Sequence, residues 1–264
     1  MSTEFGNLSL VIIVGDSVEL GKRVALVTGG SRGIGKGIAL GLGREGARVA
    51  LSYRSNKAAA QNALRQLQAL GCECFAVEAD ATNPERSDFL VRSVLERFQR
   101  LDVLVNNVGI FNWGTVADTT PDEWKRVLDS NLMSVFYTSK AALPPMRKQH
   151  WGRIINIGAV GAERAFGQAT ISAYAAAKAS VVAFSRSLAL EEAKNGITVN
   201  VVNPPNIDDK ELSLEEARRT RDARFPVGRP PSADDIAAVV KFLASDSADY
   251  VTGQVVSVSG GWMM

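Results

Sequence analysis

The sequence predicts an α/β chain folded as one domain, a doubly wound, seven-stranded parallel sheet with helices on both faces. From Arg23 onward, short apolar runs rich in β-forming residues alternate with longer segments of helical period, the pattern of a sheet buried between two helical layers. The 264 residues exceed a typical small domain but lie within the range in which one large α/β sheet stays a single unit. With 46% hydrophobic and 22% charged residues the chain has the material for a substantial core. No repeat, low-complexity tract or interdomain linker breaks the pattern.

Taken in order, residues 1–20 read as an N-terminal extension to a domain at 21–264. The apolar stretch at 8–15 is too short to span a bilayer and has no basic flank before it, so no membrane partner is expected. Strands are expected at 24–28, 48–53, 73–78, 103–106, 153–157, 198–202 and 255–258, with helices at 34–45, 57–70, 84–98, 122–146, 173–195 and 233–244. Right-handed crossovers then bring every strand-to-helix loop to one edge of the sheet, where ligands bind beside the point at which strand order reverses. The one long irregular segment, 203–232, sets Pro204, Pro205, Pro226, Pro230 and Pro231 around a charged helical stretch at 212–224. It follows a strand at the ligand edge and reads as a substrate lid, with a surface elaboration or subunit contact as the alternative.

Cys72 and Cys74 are one residue apart, so pairing would be strained, and no His stands near them to complete a metal site. Two free thiols in a reducing, cytoplasmic compartment are expected. Thirty basic against 28 acidic residues leave a charge of +2 with no dense basic run, which argues against a nucleic-acid partner.

The first strand runs straight into TGGSRGIG at 28–35 and then into a helix. Glycines there permit the tight turn and let a pyrophosphate approach the amides at the helix N-terminus. Gly29, Gly33 and Gly35 serve that purpose, and Ser31, Arg32 and Ile34 lend backbone or side-chain contacts. This strand, loop and helix identify the sheet as a Rossmann fold that binds a dinucleotide. Gly37, Gly41 and Gly43, deeper in the helix, permit close helix packing instead. At the end of the second strand, Tyr53 stands where an acidic residue would bind the adenosine ribose and favour NAD. Arg32 and Arg54 offer planar forks to a 2′-phosphate, which predicts NADP(H), with dual cofactor use as the competitor. Asp80, followed by Ala81 in DAT, is placed to accept from the adenine amino group or to cap the next helix.

Tyr174 and Lys178 in YAAAK lie a turn apart on one helix face. A neighbouring ammonium lowers a phenol pKa from its reference near ~10, which would make Tyr174 a usable acid or base near neutrality. Together, TGGSRGIG, NNVG at 106–109, Asn131 in SNLMSVF, YAAAK and the final SGGW resemble the short-chain dehydrogenase/reductase family over residues 23–264, and within it the 3-oxoacyl-carrier-protein-reductase-like members. The resemblance implies hydride transfer from a nicotinamide and proton transfer by Tyr174. It implies that Lys178 binds the nicotinamide ribose and tunes the phenol, and that Asn131 holds a water linking Lys178 to solvent. Asn107 and Gly109 would line the cofactor groove, and the subunits would form a homotetramer.

Two departures from the family stand out. Members place a serine about 13 residues before the tyrosine; counting back gives Gly161, aligning the strand RIINIG gives Ala159, and neither carries a hydroxyl. Thr170 and Ser172 lie nearby, Ser172 reading first as the cap of its helix, and Glu163, Arg164 and Gln168 add polar groups. After the sixth strand, NPPNIDDKE replaces the usual Pro-Gly pair and threonine, leaving Asn206, Ile207, Asp208 or Asp209 to meet the nicotinamide. One oxyanion donor is worth ~10²–10³ in rate, whereas enzymes accelerate reactions at least ~10⁶-fold, so catalysis survives its loss. The expected function is NADPH-dependent reduction of a ketone or related C=O group with Tyr174 as proton donor. A pterin or imine reductase and a noncatalytic NADP-binding regulatory protein are the alternatives. Phe111, Trp113, Trp262, Met263 and Met264 are candidate walls of an apolar pocket, or else core or interface residues. His150 reads as an exposed turn residue.

Overall fold

Seven parallel strands line up in the order β3-β2-β1-β4-β5-β6-β7, as expected of a doubly wound sheet. They are β1 (Val24–Val27), β2 (Arg48–Tyr53), β3 (Cys74–Glu78), β4 (Val103–Asn106), β5 (Gly152–Ile157), β6 (Ile197–Asn203) and β7 (Val255–Ser257). The computed structural model describes residues 20–263 apart from Lys22 and Lys210; the expected extension, all but Leu20, and Met264 lie outside the described residues. Strands β1, β4, β5 and β6 are buried along their whole length, because helices cover both of their faces. Strand order reverses between β1 and β4, which pair Ala25 with Val103, and the crevice at that reversal is where such sheets bind ligands.

Helices α1 (Gly33–Arg44), α2 (Lys57–Ala69) and α8 (Ala233–Ala244) cover one face, burying Ile38, Leu42, Leu67, Ile236 and Val240. Helices α3 (Pro84–Phe98), α5 (Ser134–Gln149) and α6 (Ser172–Glu192) cover the other with Leu90, Val94, Met146 and Leu188. The glycines of α1 pack as their positions predict. A Cβ at Gly37 would lie 2.4 Å from the Ala233 Cβ, and one at Gly41 would lie 2.9 Å from that of Ala237.

Most element ends agree with the sequence reading to within one or two residues, the usual fraying. Two segments differ more. The single helix expected at 122–146 is α4 (Pro121–Leu128), a π-turn at Asp129–Met133, and α5. Within that turn Asn131 Nδ2 donates to the Val127 carbonyl and Ser134 Oγ to that of Ser130, and the widened backbone absorbs one extra residue without ending the helix. The charged stretch at 212–224 is helical only over α7 (Leu214–Arg219), started by a capping box between Ser213 and Glu216 and ended where Thr220 turns extended. Asp222 then accepts from the Arg224 backbone at 3.0 Å, and this local bond competes with a further helical turn.

Cys72 and Cys74 are free thiols, and His150 is exposed. Among the described residues no helix is long and apolar enough to cross a membrane, and no group of three His, Cys, Asp or Glu is placed to hold a metal ion.

Candidate active site

The loops leaving the carboxyl ends of β1 to β6 open on one cleft of about 900 Å³, the upper end of the range for cofactor and small-molecule sites. Of the residues expected at the cofactor or the chemistry, Gly29, Ser31, Arg32, Gly33, Ile34, Gly35, Arg54, Asp80, Ala81, Asn107, Gly109, Asn131, Tyr174, Lys178 and Ile207 line it. The turn after β1 needs its glycines. Gly29 and Gly33 have φ of +62° and +55°, and a Cβ at Gly35 would lie 2.5 Å from both the Gly29 carbonyl oxygen and Asn107 Nδ2. Asn107 is a strut for this turn, its Nδ2 donating to the Thr28 and Gly29 carbonyls at 3.1 and 3.3 Å. Ser52 Oγ accepts from Gly29 N at 3.2 Å, a support that sequence reasoning missed. The first turn of α1 has no side-chain cap and no acidic residue, so its amides stay open to an anion.

Farther along the cleft, Arg32 and Arg54 are exposed and make no ion pair among the described residues. Tyr53 donates to Glu78 at 3.3 Å; burial and the Glu78 charge push its phenol upward. Asp80 does not cap α3. Its Oδ1 accepts from Thr82 N at 3.0 Å and Thr82 Oγ1 at 2.8 Å, and Asn83 takes the cap, accepting from Arg86 N.

At the other end of the cleft, α6 carries Tyr174 and Lys178. Lys178 Nζ donates to the Ile157 carbonyl at the end of β5, 2.7 Å away, and lies 5.8 Å from the centroid of the Tyr174 ring. Burial lowers the ammonium to about 8 and pushes the Tyr174 phenol up to about 12. This reverses the expected lowering of the tyrosine: removing water from the phenolate outweighs the help of an ammonium that is itself disfavoured. Tyr174 is therefore protonated at neutral pH. Asn131, held in the π-turn, donates through Nδ2 to the Ile110 and Val127 carbonyls at 2.8 and 2.9 Å, and its buried Oδ1 has no partner among the described residues. The point a Gly109 Cβ would occupy lies 2.5 Å from that Oδ1 and 3.6 Å from Lys178 Nζ. Only glycine leaves the space between them open.

Of the two alternatives in the loop after β5, Ala159 lines the cleft, whereas Gly161, with φ +86°, starts a 3-10 turn and does not. Ser172 is not the cap of α6: the cap position is Ile171, and Ser172 Oγ is buried without a partner. Glu163 is engaged by Asn203 Nδ2 at 2.8 Å and Arg164 by the Met263 carbonyl at 2.6 Å, while Gln168 reaches the cleft. Past β6, Pro204, Pro205, Asn206 and Ile207 line the cleft; Asp208 is turned into a pair with Arg224 at 2.6 Å, and Asp209 accepts from Glu211 N. Phe111, Trp113, Trp262 and Met263 all face the cleft. Sequence reasoning missed Ser55, Asn56, Ser130 and Glu211 there; the first two directly follow Arg54 in the loop after β2, a place signal without a motif.

A family model described as Enoyl-(Acyl carrier protein) reductase matches residues 29–263. A 3-oxoacyl-(acyl-carrier-protein) reductase of Pseudomonas aeruginosa is 43% identical over 244 residues, covering 92% of this chain and 98% of its own. The enzyme of the same name from Staphylococcus aureus is 40% identical over 243 residues, covering 91% and 98%. Among solved structures, a candidate short-chain alcohol dehydrogenase from Sinorhizobium meliloti superposes with a TM-score of 0.85 at 30% identity, over 94% of this chain and 99% of its own. A candidate 3-oxoacyl reductase from Bacillus thuringiensis superposes at 0.84 with 35% identity, over 92% and 98%.

Proposed function

This chain belongs to the short-chain dehydrogenase/reductase family and is an oxidoreductase that uses a nicotinamide cofactor, and on that premise we propose that it is an NADPH-dependent reductase of a ketone or related C=O group with Tyr174 as proton donor. The fit to the cofactor rests on the Gly35 cradle that a Cβ would fill, the uncapped first turn of α1, and the two free guanidiniums of Arg32 and Arg54. When bound, the reduced cofactor supplies the hydride. The remaining work falls to this chain's side chains. Tyr174 Oη donates to the substrate oxygen and gives it the proton. The Lys178 ammonium, fixed on the Ile157 carbonyl, stabilises the phenolate that results. Asn131 keeps an acceptor beside Lys178 across the Gly109 backbone. Ala159 supplies a methyl where relatives of this family carry a serine, so the tyrosine bears the substrate oxygen alone. The segment 203–232 acts as a lid, tied to α1 by the Lys36–Glu211 ion pair, and the working form is a cytoplasmic homotetramer.

The observation that carries the reading is Tyr174 with Lys178 one turn on along α6, both lining the cleft entered by the open N-terminus of α1. The test is deuteride transfer from labelled NADPH to ketones, quinones, imines and pterins, for the native protein and Tyr174→Phe. Transfer to a ketone that falls about 10²–10⁴-fold in the variant, with NADPH binding retained, is expected. Binding of NADPH without transfer to any acceptor would overturn the reading in favour of a nonredox role.

A further inference from the structure

We infer that the substrate is a neutral aryl ketone, recognised by aromatic side chains that line the cleft and lead through Phe111 to Tyr174; this rests on the reductase reading above. Phe111 and Trp113 come from the loop after β4, Phe166 from the loop after β5, and Trp262 from the end of the chain, yet all four line the cleft that holds Tyr174. Trp113 is 64% exposed, Phe111 49% and Phe166 44%. Isolated exposed aromatics need no explanation, but several gathered at the mouth of one cleft mark a surface built for a ligand.

The rings are also ordered. Trp113 meets Phe111 edge to face at 4.8 Å, and Phe111 meets Tyr174 edge to face at the same separation. Gly114 N donates to the Thr170 carbonyl at 2.8 Å, which holds the aromatic loop against the start of α6. A surface held in place in this way presents faces and edges to a flat π system, whereas a saturated chain gains only buried area from it.

Charge points the same way. Among the described residues lining the cleft, the cations are Arg32 and Arg54, from the turns after β1 and β2, and Lys178, which is committed to the Ile157 carbonyl. None comes from the loops that carry the aromatic residues. An anionic substrate group would find no lining cation beside those rings to pair with, and the Ala159 methyl adds to the apolar lining. In the reaction the carbonyl carbon gains the hydride and the oxygen gains the Tyr174 proton. A benzylic alcohol forms, the reduced dinucleotide is oxidised by two electrons, and solvent returns a proton to the phenolate.

The test compares kcat/KM of the full chain with NADPH for a naphthyl methyl ketone and for its saturated decalinyl counterpart of equal size. The native protein is expected to prefer the naphthyl ketone by about tenfold or more. Trp113→Ala and Phe111→Leu should each shrink that ratio by about two- to twelve-fold, the worth of one aromatic pair, mainly through KM, with NADPH affinity confirming that each variant is folded. Equal use of the two ketones by the native protein, or an equal loss on both in the variants, would overturn the substrate assignment alone. Bound NADPH with no transfer to either ketone, while another acceptor of the panel above is reduced, would likewise overturn the substrate assignment alone; no transfer to any acceptor would remove the reductase reading and this inference with it.

Discussion

Tyr174 and Lys178 share one site in which burial moves their pKa values apart, the phenol up to about 12 and the ammonium down to about 8. In the proposed reduction both must be protonated, so the alkaline limb of kcat/KM is expected to belong to Lys178. Activity is expected to hold to near pH 8 and then fall about tenfold per unit, far below the tyrosine's own value. Lys178→Arg keeps a cation to higher pH and should move that limb upward even if the rate is lower. A pH profile at saturating NADPH checks both. Stability carries the same signature. Because the folded pKa of Lys178 is depressed, the unfolded chain binds more protons between about 8 and its reference near ~10.4, and stability rises with pH across that window. Lys178→Met should therefore stabilise the free protein below pH 8, and the gain should shrink toward pH 10; a gain that does not depend on pH would refute the account. YAAAK and the glycine turn were legible in the sequence because their meaning lies in local spacing. The direction of the Tyr174 shift was not, since it depends on burial that distant segments impose.

The contact between α1 and α8 is set by two missing side chains. Gly37→Ala would place a methyl 2.4 Å from the Ala233 Cβ, and because both partners are helix-bound the strain must move a helix. A loss of about 1–3 kcal/mol is expected, seen as a lower urea midpoint with an unchanged slope. The shift should also weaken NADPH binding, because α1 presents its N-terminus to the cofactor cleft. Alanine tolerated on both counts would show that the helices are free to separate. The expected helix at 122–146 carried no mark of its π-turn, as one added residue hardly disturbs a helical period. It is nonetheless this turn that presents Asn131 to the cleft. The shortening of the 212–224 stretch to α7 reflects Asp222 and Arg224 bonding to each other, a choice that charge composition does not reveal.

For the whole molecule, cofactor binding and folding are linked. NADPH at 100 times its Kd should add about 2.7 kcal/mol, a rise of about 5–10 °C in Tm for a chain of this size. NADH at the same concentration should raise Tm less, and removing both Arg32 and Arg54 guanidiniums should close the gap. Equal shifts from the two cofactors in the native protein would mean that the arginines do not select a 2′-phosphate. The sequence by itself determined the parallel α/β architecture, the strands and most helix bounds, the dinucleotide turn and the Tyr-Lys pair. Each is written in periodicity or in a motif a few residues long, and such local preferences survive into the fold. Only the tertiary structure decided that Ala159 rather than Gly161 faces the cleft, that Ser172 lies inside α6 without capping it, and that burial raises rather than lowers the Tyr174 phenol. It also brought aromatic rings from three separate loops to one mouth. Those outcomes depend on distances between segments far apart in the chain, which packing sets and linear spacing does not encode.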